Sequence, residues 1–240
     1  MKKTSTTLVL LGALVGFMLP ASGAAADGGL GNPSWKPASS RNGKVLRSAT
    51  QVRFEMSSPA NFSCASLVAP LQKVVESTVP QKGEGAPPLE VILTGLEWPP
   101  PAAGKPVVFF ASLGAAAQNI NLTPRNATRC VYVQITTGTA KTDVAVGRRK
   151  DKARKQDSHA VQAPPSALTW RFDASGWELE TVSGADGSCE KFKGQWPAGE
   201  EPSFRDDDKI SFGVQNPGDM TGAVPYAVTV GSVRIKRTAK

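Results

Sequence analysis

The sequence predicts a mainly all-β protein: an antiparallel Greek-key or immunoglobulin-like β-sandwich with one short helix in its N-terminal half. Apolar residues alternate with polar residues over many short segments, which is the pattern of half-buried strands. Turn-forming residues separate these segments at intervals of roughly 8 to 15 residues, and only one segment has helical spacing. Hydrophobic residues make up 40% of the chain and charged residues 20%, which excludes a disordered chain.

The N-terminus has the residue order of a secretory signal peptide. Lys2 and Lys3 precede an apolar run over residues 8–19, and small residues follow as far as Ala26. A membrane-spanning helix needs about 20 apolar residues, so this shorter run predicts export and not anchoring. We therefore expect residues 1–26 to be removed, and the protein to be periplasmic or secreted, as in bacteria.

The next segment, residues 27–44, is rich in Gly, Pro, Ser and Asn. This composition predicts a flexible leader. The first predicted strand follows, because Val52, Phe54 and Met56 alternate with polar residues and therefore share one strand face.

Residues 45–126 are expected to form a smaller β-rich region that contains the one short helix. The apolar residues within 63–78 fall on a single helix face. Pro70 is acceptable only in a first turn, so the predicted helix has about two turns, over residues 69–76.

Residues 127–240 carry enough alternating segments for a complete β-sandwich domain. The clearest hairpin turns over residues 173–176, which have the composition of a four-residue loop. Trp170 and Trp177 each share a strand face with other large apolar residues, so we expect both in the core. A single larger sandwich formed by the whole mature chain is the alternative.

Positive charge is concentrated in a predicted loop over residues 148–157, which holds six basic residues against two acidic ones. Clustered Lys and Arg displace counterions from polyanions, so we expect this loop to contact an anionic glycan, lipid head groups or an envelope protein. A solvated loop without a partner is the alternative. Nucleic acid is not favoured, because no aromatic residue interleaves with the basic ones. The candidate ligand-binding residues are Arg148, Arg149, Lys150, Lys152, Arg154 and Lys155.

Two tryptophans are further candidates for ligand binding. Sugar-binding modules present aromatic rings to their ligands, because an apolar ring with a polar tip suits an amphipathic sugar. Trp98 lies in a proline-rich connection and Trp196 follows a short predicted strand. These two are the better candidates for an exposed tryptophan, and a lid over the core, which is common for a lone surface tryptophan, is the alternative for each.

Most catalytic constellations are missing from the sequence. His159 is the only histidine, which argues against histidine-assisted hydrolases and against zinc catalysis. Without a glycine-rich phosphate loop in a strand–loop–helix setting, no cofactor is predicted, and no metal site either. Carboxylates remain, but Glu178 and Glu180 have the spacing of a solvent-facing strand, and the three aspartates at 206–208 suit a turn better than a calcium site.

The three cysteines, Cys64, Cys130 and Cys189, lie far apart and form no CxxC motif. Two of them can pair in an oxidising compartment, but the sequence does not determine which two. An inert buried thiol is the favoured state of an unpaired cysteine.

These observations predict an exported, non-enzymatic β-sandwich that binds a cell-surface, polysaccharide or protein partner through its loops. Two alternatives stay open. A hydrolase of polysaccharide or cell wall would need only two carboxylates across a cleft. A structural or assembly protein of the envelope would offer an exposed strand edge to its partner.

Overall fold

The computed structural model describes residues 28–40, 42–57, 63–77, 88–100, 106–114, 130–138, 141–150, 153–198, 201–202, 208–216 and 225–237, with the backbone alone at 149–150 and 153–154. Within these ranges the chain forms sixteen strands and one helix. They are β1 (Lys36–Ser39), β2 (Gly43–Arg47), β3 (Val52–Met56), β4 (Cys64–Pro70), α1 (Leu71–Val74), β5 (Glu76–Ser77), β6 (Leu89–Thr94), β7 (Val107–Gly114), β8 (Cys130–Thr137), β9 (Thr142–Lys150), β10 (Ala153–Val161), β11 (Pro165–Phe172), β12 (Gly176–Ser183), β13 (Cys189–Gln195), β14 (Lys209–Gln215), β15 (Tyr226–Val230) and β16 (Ser232–Arg237).

The strands form three sheets that pack as a sandwich. A seven-stranded sheet has the order β1-β4-β14-β7-β8-β9-β10, a six-stranded sheet the order β13-β12-β11-β6-β16-β5, and a three-stranded sheet the order β15-β3-β2. Neighbouring strands are antiparallel except β16 and β5, which are parallel. The predicted all-β class with one short N-terminal helix is therefore confirmed, while the Greek-key and immunoglobulin-like detail stays a prediction.

Both large sheets combine strands from either side of residue 126. In the seven-stranded sheet β7 pairs with β8 and β14, and in the six-stranded sheet β6 pairs with β11 and β16. One cluster of buried apolar residues extends from Leu30 to Ile235. The division of the sequence at residue 126 thus does not coincide with a boundary between sheets.

The β11–β12 hairpin has the predicted turn and the predicted core residues. Phe172 pairs with Trp177 across residues 173–176, and an Asp173 carboxylate oxygen accepts hydrogen bonds from the backbone N–H groups of Ser175 (2.7 Å) and Gly176 (3.2 Å). Trp170 is 0% exposed and Trp177 is 4% exposed, which confirms that both rings lie in the core.

The helix is shorter than predicted. It covers only the four residues Leu71–Val74, because the preceding residues form β4, which pairs with β1 on one side and β14 on the other. After Val75 the chain is extended again as β5. Sheet hydrogen bonding therefore overrides the helical spacing of the apolar residues over most of the segment.

The segment predicted as a flexible leader is instead anchored to the sandwich. Trp35 is 1% exposed, its ring meets Phe212 edge-on at a centroid distance of 5.1 Å, and its indole N–H donates to the Gly28 carbonyl at 3.2 Å. The guanidinium of Arg47 donates to three backbone carbonyls of the same segment. The buried ring of Trp35 and the hydrogen bonds of Arg47 therefore hold this segment against the sandwich despite its loop-like composition. β1 follows directly.

The turn between β12 and β13 predicts a step in acid stability. The Asp186 carboxylate accepts hydrogen bonds from the Ser188 backbone N–H (3.0 Å) and hydroxyl (2.8 Å), and these bonds lower the pKa of Asp186 to about 2. A carboxyl whose pKa is depressed on folding stabilises the fold above its ordinary pKa and ceases to do so as the pH falls through the folded value. We expect this contribution to stability to be lost between about pH 4 and pH 2 and to be absent from Asp186→Asn. NMR titration of the Asp186 carboxyl follows the loss.

Candidate functional site

Trp196 is not the exposed residue that the sequence predicts. It is 8% exposed, and its indole N–H donates to the Asp173 carbonyl at 2.8 Å. The ring therefore covers the turn between β11 and β12 and leaves little surface for a ligand. A lone tryptophan after a short strand has no alternation that would reveal this burial.

Trp98, in contrast, lines an open pocket of about 550 Å³. Its indole N–H donates to the Pro165 carbonyl at 2.7 Å, and its ring meets Phe109 edge-on at a centroid distance of 6.0 Å. The ring is half-buried against the core. These contacts fix the orientation of the indole while part of it borders the pocket.

Strand pairing brings the other pocket residues to Trp98. Glu97 pairs with Thr229 of β15 through two backbone hydrogen bonds of 3.0 and 3.1 Å. In β15, Tyr226 lies opposite Met56 of β3. The outward positions of β3 therefore lie beside the segment that carries Trp98. The residues that matter for the chemistry of the pocket are Arg53, Glu55, Glu97, Trp98, Pro99 and Tyr226.

The pocket combines aromatic walls with charged groups. Arg53 and Glu55 form an ion pair of 2.9 Å, and Glu97 is exposed. The Tyr226 hydroxyl donates to the Gln215 carbonyl at 3.2 Å, and burial raises the pKa of Tyr226, so this side chain is a neutral wall at ordinary pH. Glu97 and the Arg53–Glu55 ion pair thus border the space in which a ligand would lie against Trp98. We refer to this site as the Trp98 pocket.

Sequence reasoning singled out Trp98 but missed its partners in the pocket. Arg53 and Glu55 carry the ordinary signal of outward-facing strand residues, and Tyr226 lies on the inward-facing side of its strand. Only the long-range pairing of β3 with β15 shows that these residues share a pocket.

The basic segment is a β-hairpin and not the predicted loop. Residues 142–150 and 153–161 form β9 and β10, which pair along their whole length. Val144, Val146 and Val161 are buried and hold the hairpin to the sandwich. Arg148 is half-buried and Lys155 is exposed, whereas Lys152 lies outside the described residues.

The acidic candidates on β12 lie on a solvent-facing surface, as expected. Across the outer face of the six-stranded sheet, residues in register alternate in charge. Glu178 is exposed, and Glu180 contacts Lys191 at 3.2 Å. Hydrogen bonds, chiefly from Lys191, lower the pKa of Glu180. The row across the six strands is Lys193, Glu178, Arg171, Glu90, Lys236 and Glu76.

A second open pocket, of about 570 Å³, lies at one end of this charged face. Arg171, Glu178 and Lys193 contribute to its lining. Its tryptophan is Trp177, which is only 4% exposed. It therefore lacks an accessible indole, and the Trp98 pocket is the better candidate for a ligand that stacks on a ring.

His159 lies away from the Trp98 pocket, stacked on Phe192 at a centroid distance of 4.5 Å. All three cysteines are thiols, and Cys189 is exposed beside Glu180, to which its S–H donates at 3.4 Å.

Among the residues that the structure describes, no group of three metal-ligating side chains occurs. In the same part of the chain, no helix is long and apolar enough to cross a membrane. Of the three aspartates at 206–208, only Asp208 lies within the described residues, and it is buried.

No protein-family model matches the chain, and no curated protein does. Several solved structures share its fold. A seed lectin of Lotus tetragonolobus has a TM-score of 0.53 at 9% identity, covering 87% of this chain and 94% of the lectin. The CBM2 module of the evolved Dit of Lactobacillus casei BL23 phage J-1 has a TM-score of 0.50 at 7% identity, covering 80% and 78%. A functionally unknown protein of Saccharomyces cerevisiae also has a TM-score of 0.50 at 7% identity, covering 86% and 98%. At these identities the likeness shows the fold, a lectin-like and CBM-like β-sandwich.

Proposed function

We propose that this protein is an exported, non-enzymatic β-sandwich module that binds a carbohydrate in the Trp98 pocket. The observation that supports this most directly is the pocket itself, in which an oriented indole borders a space of about 550 Å³ beside Glu55, Glu97 and Arg53. The apolar face of a sugar ring packs on an indole, while its hydroxyls exchange hydrogen bonds with charged side chains. Export rests on the signal sequence of residues 1–26, which lie outside the described residues.

The fold is compatible with this proposal but is not by itself evidence for it. Lectins and carbohydrate-binding modules occur among the solved structures of similar fold. One sandwich architecture hosts many unrelated functions, so the function must be argued from the site.

The charge of the pocket favours a neutral sugar over an acidic one. Glu55 and Glu97 together outnumber Arg53, and Arg53 is already paired with Glu55. A carboxylated or sulfated ligand would meet net repulsion here, whereas hydroxyl groups can donate to both carboxylates. We therefore expect neutral polysaccharides to be the ligands of this pocket.

Replacing Trp98 with alanine tests the proposal. Removal of the stacking surface is expected to weaken binding about tenfold or more, as for other central aromatic contacts. Binding is measured by affinity electrophoresis in gels that contain hydroxyethylcellulose, xylan or galactomannan. Leu46→Ala is the matched control, because Leu46 is 41% exposed on the same three-stranded sheet but does not line the pocket.

A second variant, Glu97→Ala, guards against loss of folding in Trp98→Ala, since Glu97 is exposed and its sheet hydrogen bonds are made by the backbone. It is expected to weaken the same binding. If none of the three polysaccharides retards the wild-type protein, the proposal fails. If new reducing ends appear in the retarding polysaccharide and disappear with Glu97→Gln, the carboxylate pair acts in hydrolysis and the non-enzymatic assignment is wrong.

A further inference from the structure

The backbone pairing beside Trp98 stops after a single pair of residues. Glu97 and Thr229 exchange two backbone hydrogen bonds, of 3.0 and 3.1 Å, and this bridge is isolated. In an antiparallel pair the next such exchange lies two residues further along each strand, which would join Pro99 to Ala227. Proline has no N–H to donate, and among the described residues no backbone hydrogen bond joins these two. Pro99 therefore ends the pairing within the lining of the Trp98 pocket.

Ala227 consequently directs its backbone N–H and C=O groups away from β3 and toward the pocket. Thr229 bonds to Glu97 on the outer side of β15, and the backbone groups of successive strand residues point to opposite sides. The groups of Val228 therefore face β3, whereas those of Ala227 face the same side as those of Thr229. One donor and one acceptor of the same residue thus lie at the pocket, which Ala227 lines.

The small side chain of Ala227 leaves room above these two groups. In register, Ala227 lies opposite Glu55 of β3, and the segment with Trp98 and Pro99 lies on its other side. Its methyl group is the smallest side chain among the described residues that line the pocket. A ring that packs on Trp98 can therefore approach the backbone of β15.

A peptide strand fits this edge poorly. Addition of a strand needs a row of main-chain hydrogen bonds. On this side of β15, however, Thr229 is already bonded to Glu97, and Pro225 has no N–H. A sugar needs only one residue, because two hydroxyls on neighbouring ring carbons can accept from its N–H and donate to its C=O.

We propose that the backbone of Ala227 holds the sugar in the Trp98 pocket, with its N–H donating to one ring hydroxyl and its C=O accepting from the hydroxyl on the next carbon. This inference rests on the proposed function and narrows its ligands. They are neutral polysaccharides whose sugar rings carry two free neighbouring hydroxyls. Trp98 supplies the stacking surface, and Ala227 recognises the pair of hydroxyls.

Amide hydrogen exchange of the wild-type protein tests the proposal directly. Without ligand, the Ala227 N–H is expected to exchange much faster than that of Val228, which faces β3. The probe is the hexasaccharide of the polysaccharide that retards the protein: cellohexaose, xylohexaose or mannohexaose. At saturation it is expected to slow exchange at Ala227 about tenfold or more, because a hydrogen-bonded N–H is protected. The exposed turn residue Ala174 is expected to keep its rate. An unchanged rate at Ala227 in the complex would overturn the proposal.

Ala227→Pro removes the N–H but leaves the pairing with β3 intact, because this N–H faces away from β3. Retardation is expected to weaken about tenfold or more, with little change in melting temperature. Ala227→Val is the matched control, since it adds as many carbon atoms as proline does but keeps the N–H. It is expected to bind clearly more tightly than Ala227→Pro. Equal losses in the two variants would assign the effect to bulk and overturn the proposal.

The outcomes separate this inference from the proposed function. If none of the three polysaccharides retards the wild type, both fail. If Trp98→Ala abolishes retardation while Ala227→Pro retains it, the pocket binds sugar without the Ala227 backbone, and only this inference fails. Retardation that survives acetylation of the ring hydroxyls would also overturn it alone, since an acetylated hydroxyl cannot donate to the Ala227 carbonyl.

Discussion

Trp35→Ala is expected to lower the free energy of unfolding by about 3–5 kcal/mol, the range for a buried aromatic residue replaced by alanine. Trp35 is among the largest fully buried side chains, and its ring is in edge-to-face contact with Phe212. Phe212 is in turn in edge-to-face contact with Phe54 at a centroid distance of 5.7 Å. Removing the indole therefore opens a cavity between the N-terminal segment and two strands of different sheets. Urea denaturation followed by circular dichroism measures the change.

Two further variants identify the source of that loss. Trp35→Phe keeps a ring against Phe212 but removes the hydrogen bond to the Gly28 carbonyl, so it is expected to cost clearly less than Trp35→Ala. Leu46→Ala, at an exposed position, is expected to change the free energy of unfolding by no more than about 0.5 kcal/mol. If Trp35→Ala proved as mild as Leu46→Ala, residues 28–35 would not be part of the cooperative core.

Local alternation predicted the parts of the fold in which burial repeats along one strand. Trp170 and Trp177 could be placed in the core from their neighbours alone, because every second residue of β11 and β12 points to the same side. The turn at 173–176 was equally predictable from the sequence, since Asp173 accepts the hydrogen bonds that its residue type favours there.

Burial that depends on a distant partner gave no such signal. Trp35 and Trp196 each stand alone in polar surroundings in the sequence, and both are buried because a remote element lies against them. For Trp35 that partner is Phe212, which belongs to β14 near the opposite end of the chain. Composition describes the segment around such a residue but says nothing of what packs on it.

The Trp98 pocket was only partly predictable for the same reason. An aromatic residue in a proline-rich connection drew attention to Trp98, but the carboxylates beside it come from two elements far apart in the sequence. Glu55 reaches the site through the pairing of β3 with β15, and Glu97 through its backbone bridge to Thr229. Neither pairing has a signature in a single sequence.

In the basic segment, the charged residues led to the prediction of a loop where the structure has two strands. Val144 and Val146 continue their alternation into Arg148, but a run of Lys and Arg is usually solvated and irregular. β8 pairs along its whole length with β9, as far as Arg149, and β10 pairs with β9, so the strands extend into the charged residues.

Arg47→Ala is the second substitution expected to have a large effect, because one guanidinium bonds three carbonyls within residues 30–35. Its Nε donates to the Leu30 carbonyl at 2.8 Å, and its two terminal nitrogens donate at 2.6 Å to the carbonyls of Asn32 and Trp35. Hydrogen bonds to charged groups contribute about 1.5–3 kcal/mol each. Since water can replace part of these bonds at a half-buried site, we expect a total loss of about 3 kcal/mol in the free energy of unfolding.

Arg47→Lys separates geometry from charge. A lysine ammonium is a single point donor group and cannot reproduce the planar fork that reaches three carbonyls at once, so most of the loss is expected to remain. Arg53→Ala is the matched control, because Arg53 is 52% exposed and pairs with Glu55 on the surface, where an ion pair contributes at most about 1 kcal/mol. If Arg47 and Trp35 anchor the same segment, the double variant will be less destabilised than the sum of the single ones, because either loss already releases residues 28–35. Full additivity in urea denaturation would mean that the two side chains act on separate parts of the fold.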